Sequence, residues 1–209
     1  MDFSAERKAM VDSQVRVNDV TNRAIHAAML SVPRERFCAP ERRFAAYSEE
    51  AVAIAGERRL TPARDVSKLL QAADAREGEA ALAIAAPYAA AVLARMGLTV
   101  TAQEADAAVF DVVGAALAEE GVRTVVAPFD QPAGEGWDLI VCEAGLPMLP
   151  ASWGAALRPG GRIVAVERRG PVGKAALYVK GREGLSRREL FDSAPPVLAE
   201  LRPAPTFAF

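Results

Sequence analysis

Residues 80–101 read AALAIAAPYAAAVLARMGLTVT, with a short apolar run at each end of an alanine-rich helical segment. The two runs are Ala80–Ile84 and Leu98–Thr101, and the helical segment between them ends at Met96. Strand, helix and strand in this order and spacing are typical of a parallel βαβ unit. This part of the chain therefore predicts an α/β domain with a parallel sheet.

The same alternation continues towards the C-terminus. Further strands and helices are predicted at 105–119, 122–126, 139–142, 153–157 and 163–166. Near-continuous apolar strands such as Leu139–Cys142 fit a sheet that is covered by helices on both faces. Lys174–Lys180 and Thr206–Phe209 predict an antiparallel addition at the sheet edge. The predicted fold class is thus α/β, a Rossmann-like doubly wound, mostly parallel sheet.

The first third of the chain lacks this alternation and predicts helices with short connections. One predicted helix runs from Thr21 to Leu30 with Thr21 as its N-cap, and another spans Asp65–Ala75. We expect residues 1–75 to form an N-terminal helical extension packed on a Rossmann-like domain of residues 76–209. Together they would make one compact unit.

The composition is that of an ordinary globular protein. Of the 209 residues, 51% are hydrophobic and 25% are charged, and the formal net charge is only −2. Acids and bases are interspersed, so the chain has no basic field of the kind that attracts nucleic acid. No apolar run approaches the roughly 20 residues of a membrane helix, and the polar first residues do not read as a secretory signal. These features predict a cytoplasmic protein without nucleic-acid or membrane partners.

Cysteine and histidine are scarce. Cys38 and Cys142 lie far apart and form no CxxC pair, so we expect buried, reduced thiols. Together with His26, the single histidine, they do not make a set of metal ligands, and no metal site is predicted. His26 falls in a predicted helix outside the alternating region, where a structural role is expected.

Several segments resemble those of one known family. They are MVDSQVR at 10–16, VPRERF at 32–37, Ala46-Tyr47, WDLIV at 137–141 and LRPGGRIV at 157–164. In this order they are similar to the protein-L-isoaspartate O-methyltransferase family, and the resemblance covers nearly the whole chain. The N-terminal matches are the most specific, because most methyltransferases of the same fold lack that extension.

The resemblance implies binding of S-adenosylmethionine and a defined reaction. Members of the family transfer a methyl group to the free carboxylate of isoaspartyl residues in damaged proteins, so the implied partners are proteins or peptides that carry isoaspartate. The ester then closes to a succinimide, which reopens partly to normal aspartate. Such an enzyme mainly positions a carboxylate nucleophile against an electrophilic methyl group.

The chain departs from the family at the first turn of the alternating region, where sheets of this kind bind their ligands. The family has an acid and a glycine-rich turn there; in this chain the acid falls at Ala81 and the glycines at Ala83, Ala85 and Pro87. Added Cβ atoms oppose left-handed backbone by roughly 1–2 kcal/mol per position, and Pro87 removes an N–H donor. We expect a structural turn in place of a cofactor cradle.

Two acids at the same sheet edge are candidates for cofactor contacts. Glu104 follows a predicted strand at the position where the resemblance implies an acid on the ribose hydroxyls, since a carboxylate can accept both hydrogen bonds. The alternative is that Glu104 is one of several acids that begin a helix, where negative charge is favourable. Glu143, at the carboxyl end of the strand 139–142, is expected to point toward the cleft.

The substrate side also departs from the family. After the Ala-Tyr segment the family has a TIS-x-P-like run, whereas this chain has RRLTPA at 58–63. Thr61 is the candidate for the catalytic hydroxyl. The adjacent Arg58 and Arg59 are expected to be solvated.

Three functions stay open at this point. The chain is a working isoaspartyl methyltransferase with an unusual cofactor loop, a family member that has lost catalysis and acts as a protein-binding or regulatory module, or a different small-molecule binder that reuses the cleft. Positions 81, 83, 85 and 87 are altered together while the scaffold segments persist. This pattern favours weak or absent methyl transfer.

Overall fold

The computed structural model describes residues 2–202. Its α-helices are α1 (Ser4–Met10), α2 (Arg23–Ser31), α3 (Ala63–Ala73), α4 (Pro87–Arg95), α5 (Ala107–Glu119) and α6 (Ala151–Ala156). Its strands are β1 (Val52–Ala53), β2 (Arg59–Leu60), β3 (Ala80–Ile84), β4 (Thr99–Glu104), β5 (Arg123–Val126), β6 (Trp137–Leu146), β7 (Leu157–Glu167), β8 (Gly173–Lys180) and β9 (Leu185–Ser193). Within these residues no helix is both long and apolar enough to cross a membrane.

The main sheet has the strand order β5-β4-β3-β6-β7-β8-β9. Strands β3 to β7 are paired in parallel, β8 is antiparallel to β7, and β9 is antiparallel to β8. The strand order reverses at β3, which pairs with β4 on one side and with β6 on the other. This arrangement is doubly wound, and it confirms the predicted Rossmann-like fold with an antiparallel edge addition.

Burial on both faces of the sheet explains why β3 is apolar throughout. Ala81 and Ala83 pack into the hydrophobic cluster on one face, and Leu82 and Ile84 pack into the cluster on the other. All four side chains are fully buried. A parallel strand covered by helices on both sides has no solvent face, so its sequence lacks the alternation of an exposed strand.

The antiparallel addition differs from the prediction in its second strand. β8 lies within one residue of the predicted segment 174–180, but its partner is β9, which the sequence pattern did not identify. The predicted strand Thr206–Phe209 lies outside the described residues. β9 reads LSRRELFDS and is mostly exposed, as is typical of an edge strand that charged side chains protect from further pairing.

The helix predicted at Thr21–Leu30 begins and ends slightly later, as α2. Asn22 is the N-cap, because its side-chain oxygen accepts a hydrogen bond from the Ala24 N–H at 2.8 Å. The prediction of Thr21 as the cap is wrong. The Thr21 N–H instead donates to Oε1 of Gln71 on α3 at 2.6 Å, and this contact joins α2 to α3.

A short hairpin interrupts the helical first third of the chain, where only helices were predicted. Val52 on β1 pairs with Leu60 on β2, and Gly56 turns the chain between them with a φ of +49°. Val52, Ile54 and Leu60 are buried, so the hairpin packs on the core. Arg58, directly before β2, therefore lies at the carboxyl-terminal edge of the main sheet.

Candidate functional site

The turn after β3 lies where the carboxyl ends of β3, β4 and β6 meet, the usual ligand position in a doubly wound sheet. Ala85 has left-handed backbone, with a φ of +51°, and its N–H donates to the Gln103 carbonyl at 2.9 Å. The left-handed backbone that a Cβ atom opposes is therefore present at Ala85. It is absent at Ala83, which lies inside β3. Pro87 is the first residue of α4, as predicted.

Arg58 and Glu104 form a buried ion pair beside this turn. Arg58 Nε lies 3.0 Å from Glu104 Oε2, and Arg58 Nη2 lies 3.3 Å from Glu104 Oε1. The same Nη2 donates to the Ala85 carbonyl at 2.6 Å. Glu104 is 0% exposed and Arg58 only 8%. The prediction that Arg58 is solvated is thus wrong, and Glu104 ends a strand that is longer than predicted.

The ion pair keeps Arg58 charged inside the protein. Burial alone lowers the pKa of a guanidinium, but the Glu104 carboxylate beside it outweighs burial, and the pKa of Arg58 lies above its ordinary value. A planar guanidinium matches a carboxylate with two parallel hydrogen bonds, which fixes the geometry as well as the charge. Both oxygens of Glu104 are therefore engaged within the chain.

Glu143 binds the first turn of α4. The strand β6 extends past the predicted Cys142, so Glu143 lies inside β6, fully buried. Its Oε1 accepts a hydrogen bond from the Ala89 N–H at 2.5 Å, while Oε2 has no partner among the described residues. Burial raises the pKa of Glu143 to about 7, and the Ala89 N–H opposes this increase only in part.

Thr61, the candidate catalytic hydroxyl, lies next to Glu143. It is buried, and its Oγ1 donates to the backbone carbonyl of Glu143 at 2.8 Å. The structure therefore brings Thr61, Glu143, Glu104 and Ala85 to one edge of the sheet. In this arrangement the Thr61 hydroxyl holds the loop after β2 against β6.

A small cavity of about 220 Å³ lies beside Arg58. Its walls include Phe129 and Leu198, and the acids Asp106 and Glu200 line its mouth. Typical ligand pockets enclose roughly 300–1,000 Å³. This cavity alone is smaller than such a pocket, and a second cavity of about 300 Å³ shares its Phe129 and Glu200 walls at the same edge.

Arg34 is a buried residue of this region that the sequence patterns did not single out. Its Nε donates to the Ala46 carbonyl at 2.7 Å, its Nη2 donates to the Thr61 carbonyl at 2.5 Å, and its guanidinium stacks 4.7 Å from the centre of the Tyr88 ring. The segment VPRERF matched the family without revealing this role, because an arginine is ordinarily expected at the surface. Arg34 thus contacts the Ala46–Tyr47 segment, the loop after β2 and α4 beneath the site.

The remaining candidates lie apart from this cluster or have structural contacts. His26 Nε2 is 2.8 Å from the Val20 carbonyl, within the helical first third. Cys38 and Cys142 are free and buried, as predicted, and burial raises the pKa of the Cys142 thiol to about 12. The residues from 2 to 202 contain no group of three potential metal ligands.

The sequence comparisons with known proteins show one family. The family profile for Protein-L-isoaspartate(D-aspartate) O-methyltransferase (PCMT) matches residues 5–184. Protein-L-isoaspartate O-methyltransferase 1 of Rhodopseudomonas palustris (strain HaA2) is 37% identical over 169 residues, which are 78% of this chain and 69% of that protein. The Methylorubrum extorquens (strain PA1) enzyme of the same name is 32% identical over 93% of this chain and 87% of its own length.

Solved structures with the same fold agree. A putative protein-L-isoaspartate O-methyltransferase from Plasmodium falciparum, in complex with S-adenosyl-L-homocysteine, superposes with a TM-score of 0.78 at 14% identity, over 93% of this chain and 98% of that one. A second protein-L-isoaspartate O-methyltransferase structure gives 0.76 at 18% identity, over 92% of this chain and 66% of that one. At these identities the superpositions show the fold.

The backbone at the turn predicts a contrast between two glycine substitutions. Ala85→Gly relieves left-handed strain and should change the free energy of unfolding by less than about 0.5 kcal/mol. Ala83→Gly removes a buried methyl group from a strand and should cost about 1.5–2 kcal/mol. Urea unfolding of both variants measures the difference, and equal losses would contradict a left-handed Ala85.

The raised pKa of Glu143 predicts a pH-dependent stability. Between its ordinary value of 4.5 and about 7, the folded protein holds a proton that the unfolded chain has released. Stability should therefore fall as the pH rises through this interval, by up to about 3 kcal/mol. In Glu143→Gln this contribution should be lost and the decrease should become shallower, with the part due to the raised pKa of buried Glu104 remaining, whereas the exposed control Glu57→Gln should retain the full slope. Urea unfolding at several pH values is the measurement, and an unchanged slope in Glu143→Gln would refute the assignment.

Proposed function

This chain belongs to the protein-L-isoaspartate O-methyltransferase family, and we propose that its methyl transfer is weak or lost because Arg58 has replaced the cofactor on Glu104. The activity that we propose is weak or lost is that of the family, the transfer of a methyl group from S-adenosylmethionine to isoaspartyl carboxylates of damaged proteins. Whether this chain retains that activity depends on its own site residues.

The observation that carries the proposal is that both Glu104 oxygens are bonded to Arg58. The family resemblance implies that this acid accepts the ribose hydroxyls of S-adenosylmethionine, and a carboxylate held by a guanidinium fork has lost its best acceptor positions. The Ala85 carbonyl, at the turn beside it, also accepts from Arg58. As arranged, these residues do not fit the cofactor.

The beginning of α4 supports the same conclusion. A helix N-terminus is a natural site for a carboxylate, because its first N–H groups lack partners. In this chain the Ala89 N–H is already bonded to the chain's own Glu143, and Pro87 has no N–H to offer. Ala81 provides no acid at the position where the family has one.

Separating this ion pair would cost a large fraction of the free energy of cofactor binding. Micromolar affinity corresponds to about −8 kcal/mol, and removing one partner from a buried ion pair costs about 3–5 kcal/mol. A cofactor that had to separate Arg58 from Glu104 would therefore bind roughly 10²–10⁴-fold more weakly. Such an affinity would leave the site largely empty at micromolar cofactor.

The second candidate function is a protein-binding or regulatory module without catalysis. It is favoured by the contacts of Arg34 with the Ala46 and Thr61 carbonyls and with the Tyr88 ring, which stabilise the scaffold beside the cleft through protein groups. The free thiols of Cys38 and Cys142 agree with a reducing compartment, and we place the protein in the cytoplasm.

Calorimetric titration with S-adenosylhomocysteine tests the role of Arg58. The wild type should bind with a Kd of about 0.1 mM or weaker, at least about 10²-fold above the micromolar range. Arg58→Ala, or Arg58→Gln if the alanine variant does not fold, should bind at least tenfold more tightly than the wild type. Arg59→Ala, which removes the neighbouring half-buried arginine, should behave like the wild type.

Two results would overturn the proposal. Micromolar binding by the wild type, or turnover of an isoaspartyl peptide with labelled S-adenosylmethionine, would mean that the cofactor displaces Arg58 readily. Undetectable binding by both Arg58→Ala and Arg59→Ala would assign the defect to the turn at Ala83, Ala85 and Pro87. In that case, adding glycines at these three positions to Arg58→Ala should recover the affinity.

A further inference from the structure

Buried polar atoms without a hydrogen-bond partner are concentrated beneath the cleft. Among the side chains of residues 2–202 there are five such atoms, and three of them are Arg34 Nη1, the Tyr88 hydroxyl oxygen and Glu143 Oε2. The three side chains are at most 1% exposed. A buried donor or acceptor without a partner carries the full cost of its removal from water. Three such atoms in one part of the interior indicate a bound group that satisfies them.

A closed ring of contacts joins the three side chains. Arg34 Nη2 donates to the Thr61 carbonyl at 2.5 Å, and the Thr61 hydroxyl donates to the Glu143 carbonyl at 2.8 Å. The Glu143 carboxylate accepts from the Ala89 N–H at 2.5 Å. Tyr88, the residue before Ala89, closes the ring, because its aromatic ring lies 4.7 Å from the Arg34 guanidinium. The unpartnered atoms therefore belong to neighbouring groups around one small region.

The three atoms have complementary roles in hydrogen bonding. The guanidinium nitrogen of Arg34 only donates, the Tyr88 hydroxyl has a proton to donate, and the Glu143 carboxylate accepts. One water molecule satisfies all three, since it accepts from two donors with its lone pairs and donates one proton to the carboxylate. Buried waters typically make about three hydrogen bonds to such groups.

An ion is less suitable at this place. The Arg34 guanidinium repels a metal cation, and the Glu143 carboxylate repels an anion. Burial lowers the pKa of Arg34, and the nearby Tyr88 hydroxyl and Glu143 carboxyl oppose this decrease. The other charges beside Glu143, those of Arg58 and Glu104, are paired with each other. A neutral ligand leaves this balance of charges unchanged.

We propose that Arg34, Tyr88 and Glu143 form an internal binding site for one ordered water molecule, which joins the N-terminal extension, α4 and β6. The water accepts from Arg34 Nη1 and from the Tyr88 hydroxyl and donates to Glu143 Oε2. When the Glu143 carboxyl is protonated, it donates to the water, and the water donates to the Tyr88 hydroxyl instead. The site thus gives Glu143 a partner in both protonation states, whether or not the cofactor binds.

A crystal structure of the wild-type protein at about 1.5 Å resolution tests the site directly. We expect one isolated density peak within about 3.2 Å of Arg34 Nη1, Tyr88 Oη and Glu143 Oε2. Oxygen-17 relaxation dispersion counts long-lived internal waters in solution, and in Tyr88→Phe this count should fall by one. Tyr178→Phe is the matched control, because the Tyr178 hydroxyl already accepts from Arg187 Nε at 3.2 Å, and its count should equal that of the wild type.

Three results would overturn the proposal. Direct hydrogen bonds among the three groups, with no density peak between them, would mean that the protein satisfies its own atoms. A peak with ligand distances of about 2.0–2.2 Å would replace the water with a metal ion. An unchanged count in Tyr88→Phe, or an equal decrease in Tyr178→Phe, would place the water elsewhere. The wild-type structure decides the first two even if a variant does not fold, and none of the measurements uses the cofactor.

Discussion

A guanidinium fork on a fully buried carboxylate, Arg58 on Glu104, joins three parts of the molecule that are distant in sequence. It connects the hairpin of β1 and β2 to the end of β4, and through the Ala85 carbonyl to the turn before α4. Each charge is stable in the interior only because the other is present, since an isolated buried ion carries a large desolvation cost. The position of the hairpin and the closed form of the cleft both depend on this pair.

The segments that resemble the family make structural contacts around this altered site. Arg34, from the VPRERF segment, binds carbonyls of Ala46 and Thr61 and stacks on Tyr88. These contacts connect the N-terminal extension to the loop after β2 and to α4. None of them requires a ligand, so the fold can remain family-like while the acid and the glycines of the cofactor turn are replaced.

The fold could be predicted from sequence because its strongest signals are local. The apolar runs of β3 and β6 and the helices between strands appear directly in the residues, and so does Pro87 at the start of α4. β9 could not be identified in this way, because an exposed edge strand carries no apolar pattern. The two-residue strands β1 and β2 are too short to produce a periodic pattern.

The site was predictable only in part, for a different physical reason. Glu104 and Glu143 could be placed near the sheet edge because the topology brings the carboxyl ends of the strands together, and Thr61 was a candidate only through the family resemblance. The partner of Glu104 could not be predicted, since Arg58 lies 46 residues earlier and an arginine pair in sequence resembles a solvated surface. Only the three-dimensional contacts show that one of those two arginines is an interior residue.

The most direct test of this account is a crystal structure of the wild-type protein as purified, grown without added cofactor. The account predicts electron density for the Arg58 guanidinium on both oxygens of Glu104, with no nucleoside at the turn after β3. Density for the nucleoside with its ribose hydroxyls on Glu104, and with Arg58 displaced from the cleft, would contradict it.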